Sequence, residues 1–164
     1  MSETTTPTIR AATEDDVQRI FDLICELATY EKLRDQVVGT PEILRDTLFE
    51  QRAAEALVIE SDDGEAVGYA LFYTTFSSFH CRSGIWLEDL YVKPEHRRGG
   101  VGGKVLEHLA GIAEERGSVR LEWVALDWNE PALSFYAKLG ARTLDDWLIH
   151  RLESDGIHRL AAGE

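Results

Sequence analysis

The sequence predicts an α+β fold (an α/β mixed sheet, mostly antiparallel and flanked by helices) with the element order β-α-α-β-β-β-α-β-α-β-β. Three observations predict it. Apolar residues recur at helical spacing in separate segments, and apolar, β-branched or aromatic runs stand between them. No Pro/Gly/Ser-rich linker, low-complexity tract or internal repeat divides the 164 residues. The chain 1–164 is therefore expected to form one domain, with the polar residues 1–7 as a flexible tail.

Thr8–Ala11 reads as a short strand. Thr13 followed by Asp16 resembles a capping box, and Val17, Ile20, Phe21, Ile24, Leu27 and Ala28 share one helical face, so the pattern predicts an amphipathic helix over 13–30. Thr40-Pro41 opens a second helix through Leu48 and Phe49, because Thr caps and Pro suits a first helical turn. Ala56–Glu60 and Ala66–Phe76 are strand runs around Asp62-Asp63-Gly64-Glu65, a hairpin-turn composition, and are expected to pair antiparallel. Gly84–Val92 is another strand, followed by Lys93-Pro94 and a glycine-rich segment. Val101, Val105, Leu106, Leu109 and Ile112 then mark a helix that Gly117 stops. Val119–Leu126 predicts a strand, Asn129-Glu130-Pro131 caps a helix ending at Gly140, and Trp147–Leu152 is expected to close the sheet.

Composition narrows the function classes. No apolar run approaches the ~18–20 residues of a membrane span, and Met1–Thr8 lacks the basic-then-apolar pattern of a signal peptide, so no membrane association and a cytoplasmic location are expected. The net charge of −13 argues against nucleic-acid binding, which needs a basic surface. It suits a cationic substrate, although an acidic surface also serves solubility alone. Cys25 and Cys81 sit in no CxxC or Cys/His cluster, which predicts neither a disulfide framework nor a metal site; Cys25 reads as a small core residue.

The chemistry lies after Val92. A strand that runs into a glycine-rich turn and then a helix makes an anion site, since unpaired main-chain N–H groups point outward where the helix dipole is positive. A Walker loop would need Gly at 98 and Ser or Thr at 105, but Arg98 and Val105 stand there. A dinucleotide fingerprint starting at Gly100 fails at Val105 as well. What remains is Arg97-x-x-Gly100-x-Gly102 after Leu90-Tyr91-Val92, which resembles the acetyl-CoA pyrophosphate loop of the GNAT acetyltransferases. Gly100 and Gly102 let main chain approach a diphosphate, and Arg97 and Arg98 add positive charge.

Further blocks extend the resemblance over roughly residues 9–152. Gly84-Ile85-Trp86-Leu87-Glu88-Asp89-Leu90-Tyr91-Val92, Asp127-Trp128-Asn129-Glu130-Pro131, Phe135-Tyr136-Ala137-Lys138-Leu139-Gly140-Ala141, Tyr30-Glu31 and Gln36-Val37 resemble the spermidine/spermine N-acetyltransferase group, which includes diamine and thialysine acetyltransferases. The resemblance implies a homodimer that transfers acetyl directly from acetyl-CoA, its cosubstrate, to a small-molecule amine. It implies cofactor contacts from Leu90, Tyr91, Val92, Arg97, Arg98, Gly99, Gly100, Val101, Gly102, Gly103, Asn129 and Lys138.

For catalysis the resemblance makes Tyr136 the general acid for the CoA thiolate; its ordinary pKa of ~10 keeps a phenol protonated near neutrality. It makes Glu88 the base that deprotonates the amine, directly or through water, and Asp89 the residue that recognises it. As neighbours on a strand, those two should face opposite ways unless a bulge intervenes. Glu31 and Asp35 are candidates for a distal cationic group. Trp86 and Trp128 read either as walls of the tunnel or as core aromatics, and Asn129 as a cofactor or substrate contact, as an N-cap, or as both.

Lys32, Arg34 and Ser77-Ser78-Phe79-His80 stand where the group's polyamine enzymes tend to carry acidic residues, which favours a shorter diamine or a lysine analogue. Two alternatives stay open at this level: a non-catalytic acyl-CoA-binding or sensing module, and an acetyltransferase of protein lysines or N-terminal amines.

Overall fold

A computed structural model of the protein describes residues 7–97 and 99–163. These fall into two compact units, divided between Val124 and Ala125. The expected tail up to residue 6 and Arg98 lie outside the described residues.

The first unit carries a five-stranded sheet in the order β1-β2-β3-β4-β5: β1 (Thr8–Ala11), β2 (Glu55–Glu60), β3 (Ala66–Ser77), β4 (Arg82–Val92) and β5 (Leu121–Glu122). The first three pairings are antiparallel and β4·β5 is parallel, so the sheet is mixed as the sequence predicts. Helix α1 (Val17–Tyr30) follows a 3-10 turn at Glu14–Asp16, and the Thr13 N–H donates to Asp16 Oδ2 at 2.8 Å, as a capping box requires. Helix α2 (Pro41–Arg45) starts at the Thr40 cap, whose Oγ1 accepts from the Ile43 N–H, and runs into a π turn at Asp46–Glu50. Helix α3 (Val101–Glu115) buries Val101, Val105, Leu106, Leu109 and Ala113, and Gly117 beyond its end takes a φ of +64°.

The two faces of the sheet are covered differently. Tyr69, Leu71 and Tyr91 pack with Ile20 and Leu23 of α1 and Leu48 of the π turn. Phe72, the next residue after Leu71, points the other way and meets Arg116 at the end of α3, 5.9 Å from its guanidinium carbon. At the start of the chain Arg10 clasps Asp16 through bonds of 2.7 and 2.8 Å and reaches Glu60 at 2.6 Å. Asp16 is only 2% exposed, so this anchor of α1 is buried on its carboxylate side, while Arg10 stays partly exposed.

In the second unit α4 (Glu130–Lys138) is capped by Asn129 Oδ1, which accepts from the Ala132 N–H at 3.4 Å, and α5 (Ser154–Ala161) follows after a loop.

The strand expected over Val119–Leu126 is paired only at Leu121 and Glu122, opposite Ile85 and Trp86. A bulge further along β4 redirects its edge, and a parallel ladder cannot follow it. The strand expected at Trp147–Leu152 does not form: these residues are irregular and exposed, Trp147 at 76%. An apolar run becomes a strand only beside a partner ladder, and the described residues of this unit contain no other strand. Helix α5, unanticipated, occupies Ser154–Ala161 instead.

Candidate active site

The site is organised by one irregularity in β4. Leu71 and Phe72 of β3 stand opposite Asp89 and Leu87, leaving Glu88 as an extra residue. Main-chain bonds show the same thing independently. The Ile85 N–H donates away from β3, to Arg120 O at 2.9 Å, whereas the Lys93 N–H donates into β3, to Val67 O at 2.9 Å. Both positions are odd-numbered, so strict alternation would have sent them to the same edge. With the bulge between them, alternation back from Lys93 sends the N–H groups of Leu90 and Val92 to the edge away from β3. That edge has no ladder partner beyond Trp86 among the described residues.

The bulge also gathers side chains. Asp89 lies opposite Leu71 and Trp86 opposite Tyr73, so both share the α1 face with Tyr69 and Leu71. Glu88 reaches the same face, its Oε2 accepting from Trp86 Nε1 at 2.9 Å. Glu88 and Asp89 therefore do not face opposite ways, the outcome expected for a regular strand. The Trp86 ring lies 6.4 Å from that of Tyr73.

The electrostatics are those of clustered carboxylates. Burial pushes the Asp89 carboxyl up to about 6, the Glu88 and Glu31 charges add to the rise, and a hydrogen bond from Tyr69 opposes it. Tyr69 Oη donates to Asp89 Oδ2 at 3.0 Å. Burial raises the Glu31 carboxyl as well, at the C-cap of α1. Burial and the Glu88 charge raise the Tyr73 phenol. Asp35 lies on the exposed 3-10 turn at Arg34–Gln36 and forms no ion pair among the described residues. Glu31, Trp86, Glu88 and Asp89 are thus brought into one electrostatic neighbourhood, which can receive a cation and accept a proton.

The glycine-rich turn has the geometry of an anion cradle. Gly99 and Gly100 take φ values of +91° and +76°, the left-handed region that glycine enters without strain. Gly100 is the N-cap of α3; among the described residues no side chain caps that end, and its first turn, with Val101, Gly102 and Gly103, holds no acidic residue. A Cβ built on Gly100 or Gly103 would meet nothing within 4 Å, so no described atom crowds the Cβ side of these two glycines. Arg97 is already engaged: its Nε donates to Val92 O at 2.8 Å and its guanidinium stacks on Tyr30 and Tyr91, 4.8 and 5.6 Å from the ring centres. The Tyr91 side chain belongs to the core cluster on the α1 face, its hydroxyl donating to Glu26 Oε2 at 3.1 Å.

In the second unit Tyr136 is half-buried on α4 with its ring 5.3 Å from that of Phe135, Lys138 ends the helix, and Trp128 and Asn129 precede it. Sequence reasoning missed Tyr69. Its signal was present: a phenol at a buried strand position needs a hydrogen-bond partner, and period-two spacing puts it on the Leu71 face.

The family model described as "Acetyltransferase (GNAT) family" matches residues 18–141. The chain belongs to the GNAT acetyltransferase family. Among curated relatives, the thialysine N-epsilon-acetyltransferase of Bos taurus is 42% identical, with 93% of this chain and 96% of the relative covered. That of Caenorhabditis elegans is 33% identical over the same shares. The L-ornithine N5-acetyltransferase of Arabidopsis thaliana is 28% identical, covering 93% of this chain and 86% of the relative. Among solved structures, an integron cassette protein of V. cholerae superposes with a TM-score of 0.78 at 23% identity, covering 95% of this chain and 98% of that one, a likeness of fold. This acetyltransferase therefore has its bulged strand, glycine turn and α3 inside the matched family segment. Among its described residues no group of three or more His, Cys, Asp or Glu could hold a metal ion, and no helix is long and apolar enough to cross a membrane.

Proposed function

We propose that this enzyme moves the acetyl group of acetyl-CoA to the primary amine of a small cationic substrate, a diamine, polyamine or thialysine-like amine, by direct transfer. The observation that carries the reading is the bulge at Glu88, which puts Trp86, Glu88 and Asp89 on one face, within electrostatic reach of Glu31. An alkylammonium has a pKa near ~10.4 and cannot attack until it loses a proton. Asp89 and Glu31 supply the negative field that draws the ammonium in, and Glu88, exposed at the bulge, takes its proton directly or through water.

When bound, acetyl-CoA supplies the activated acyl group. The residues fit it: the main-chain N–H groups at the start of α3, with the left-handed Gly99 and Gly100, suit a diphosphate. The outward N–H groups of Leu90 and Val92 suit a carbonyl oxygen that gains charge. Tyr136 gives its hydroxyl proton to the leaving thiolate. Asn129 and Lys138 add cofactor contacts, and Trp128 and Asp35 border the amine. The chain is a single GNAT domain of the cytoplasm, and its active form is a homodimer, which light scattering at assay concentration checks.

Relatives named for thialysine and ornithine support a lysine- or ornithine-like amine, and Lys32 and Arg34 beside Glu31 disfavour a long polyamine. A CoA-release screen over diamines, polyamines, thialysine, ornithine, amino sugars and lysine peptides tests this. Turnover with a short diamine or amino-acid amine is expected; no release with any amine, or ping-pong kinetics, would overturn it.

A further inference from the structure

Tyr69 is fully buried, yet its hydroxyl is aimed at a carboxylate at the edge of the site. Its ring is locked in the core against Ile20, Leu23 and Leu71, with the Tyr91 ring 6.5 Å away. The phenol therefore cannot follow a mobile partner; its partner must come to it. Asp89 Oδ2 accepts this bond, while Oδ1 accepts no hydrogen bond among the described residues. A carboxylate held by one oxygen on a rigid donor presents the other in a fixed direction.

We propose that Tyr69 is a positioning residue of the amine site: its hydroxyl fixes Asp89 through Oδ2 and so presents Oδ1 to the substrate ammonium. This rests on the proposed amine-acetylating function. Among the described residues the groups acting on Asp89 are Tyr69 from β3, Glu88 from β4 and Glu31 from the end of α1. Tyr91, beside Tyr69, gives its own hydroxyl to Glu26 and stacks under Arg97. Among the described groups that act on Asp89, the two carboxylates oppose its ionisation and the Tyr69 hydrogen bond favours it. A phenol also keeps its proton here, because burial and the Asp89 charge raise its pKa far above neutrality. The hydroxyl is thus a donor at every working pH.

The test is Tyr69→Phe, which keeps the ring in the core and deletes one oxygen. In steady state with an amine from the screen, KM for the amine is expected to rise about tenfold or more, since a hydrogen bond to a charged group is lost. KM for acetyl-CoA should hold, kcat should change less than the amine KM, and the acidic limb of kcat/KM should move to higher pH by about one unit. A loosened core would instead raise both KM values or lower kcat alone with the pH profile unmoved, and that result would overturn the proposal. A second measurement needs no substrate: the Asp89 carboxyl carbon, assigned by its absence from Asp89→Asn, is titrated by NMR in the parent and in Tyr69→Phe. A higher midpoint in the variant supports the proposal, and equal midpoints refute it. If the parent releases CoA with no amine, the functional reading fails on that result, while the carboxyl titration still decides whether Tyr69 governs Asp89.

Discussion

Replacing Asp89 by Asn should stabilise the fold while damaging amine capture, and the stabilisation should depend on pH in a defined direction. Burial holds the Asp89 carboxyl at about 6 instead of its ordinary 3.8. An acid whose folded pKa is raised binds its proton more tightly in the native state, so the native fold loses stability as pH climbs from about 4 through about 6. At about 1.36 kcal/mol per pH unit, the displacement corresponds to at most about 3 kcal/mol of destabilisation at neutral pH. Asn has nearly the same shape, can still accept from Tyr69, and carries no charge. Urea unfolding of parent and Asp89→Asn should therefore give nearly equal stabilities at pH 4 and a variant more stable by about 1–3 kcal/mol at pH 8. The same variant should raise the amine KM well above that of the parent at pH 8. A difference in stability that does not change between pH 4 and 8, or a variant less stable than the parent at pH 8, would refute the reasoning.

Three further outcomes follow from the same structure. Gly100→Asp puts a negative charge at the N-terminus of α3 and a side chain on a φ of +76°; calorimetric titration should show acetyl-CoA affinity lowered more than tenfold, and parent-like binding would exclude the turn as the diphosphate site. Tyr136→Phe should lower kcat by about 10²-fold or more without raising the amine KM, as expected when a general acid is removed; wild-type turnover would dismiss it from the mechanism. Arg10→Ala takes a partly exposed guanidinium from the buried Asp16, whose carboxyl Arg10 holds well below the usual carboxylate range, and leaves it the Thr13 N–H and hydroxyl. The loss should be about 1–3 kcal/mol near pH 7. Because a depressed carboxyl stabilises only while ionised, the gap between parent and variant should narrow as pH falls below about 4, and thermal melts across that range check it.

Local order along the chain was legible wherever a signal was complete within a few residues. The Thr13/Asp16 box, the Thr40-Pro41 start, the Asp62–Glu65 turn and the glycine after α3 each act through neighbours in sequence, and the elements they bound appear where the periodicity puts them. Trp147–Leu152 misled because its apolar run has strand composition, and strand formation needs a ladder that composition does not supply. Helix α5 was overlooked for the converse reason, since Ile157 and Leu160 are exposed and form only a short apolar pair.

The candidate site divides the same way. The sequence by itself determined which residue types were available: carboxylates at 31, 88 and 89, a glycine turn opening a helix, and a tyrosine on the last helix of the family segment. Only the tertiary structure decided that Glu88 is an extra residue against β3, because a bulge arises from the register of two strands far apart in sequence. That one-residue offset turns neighbours which would have faced apart onto a common face with Trp86, and it is what brings Tyr69 to the oxygen of Asp89.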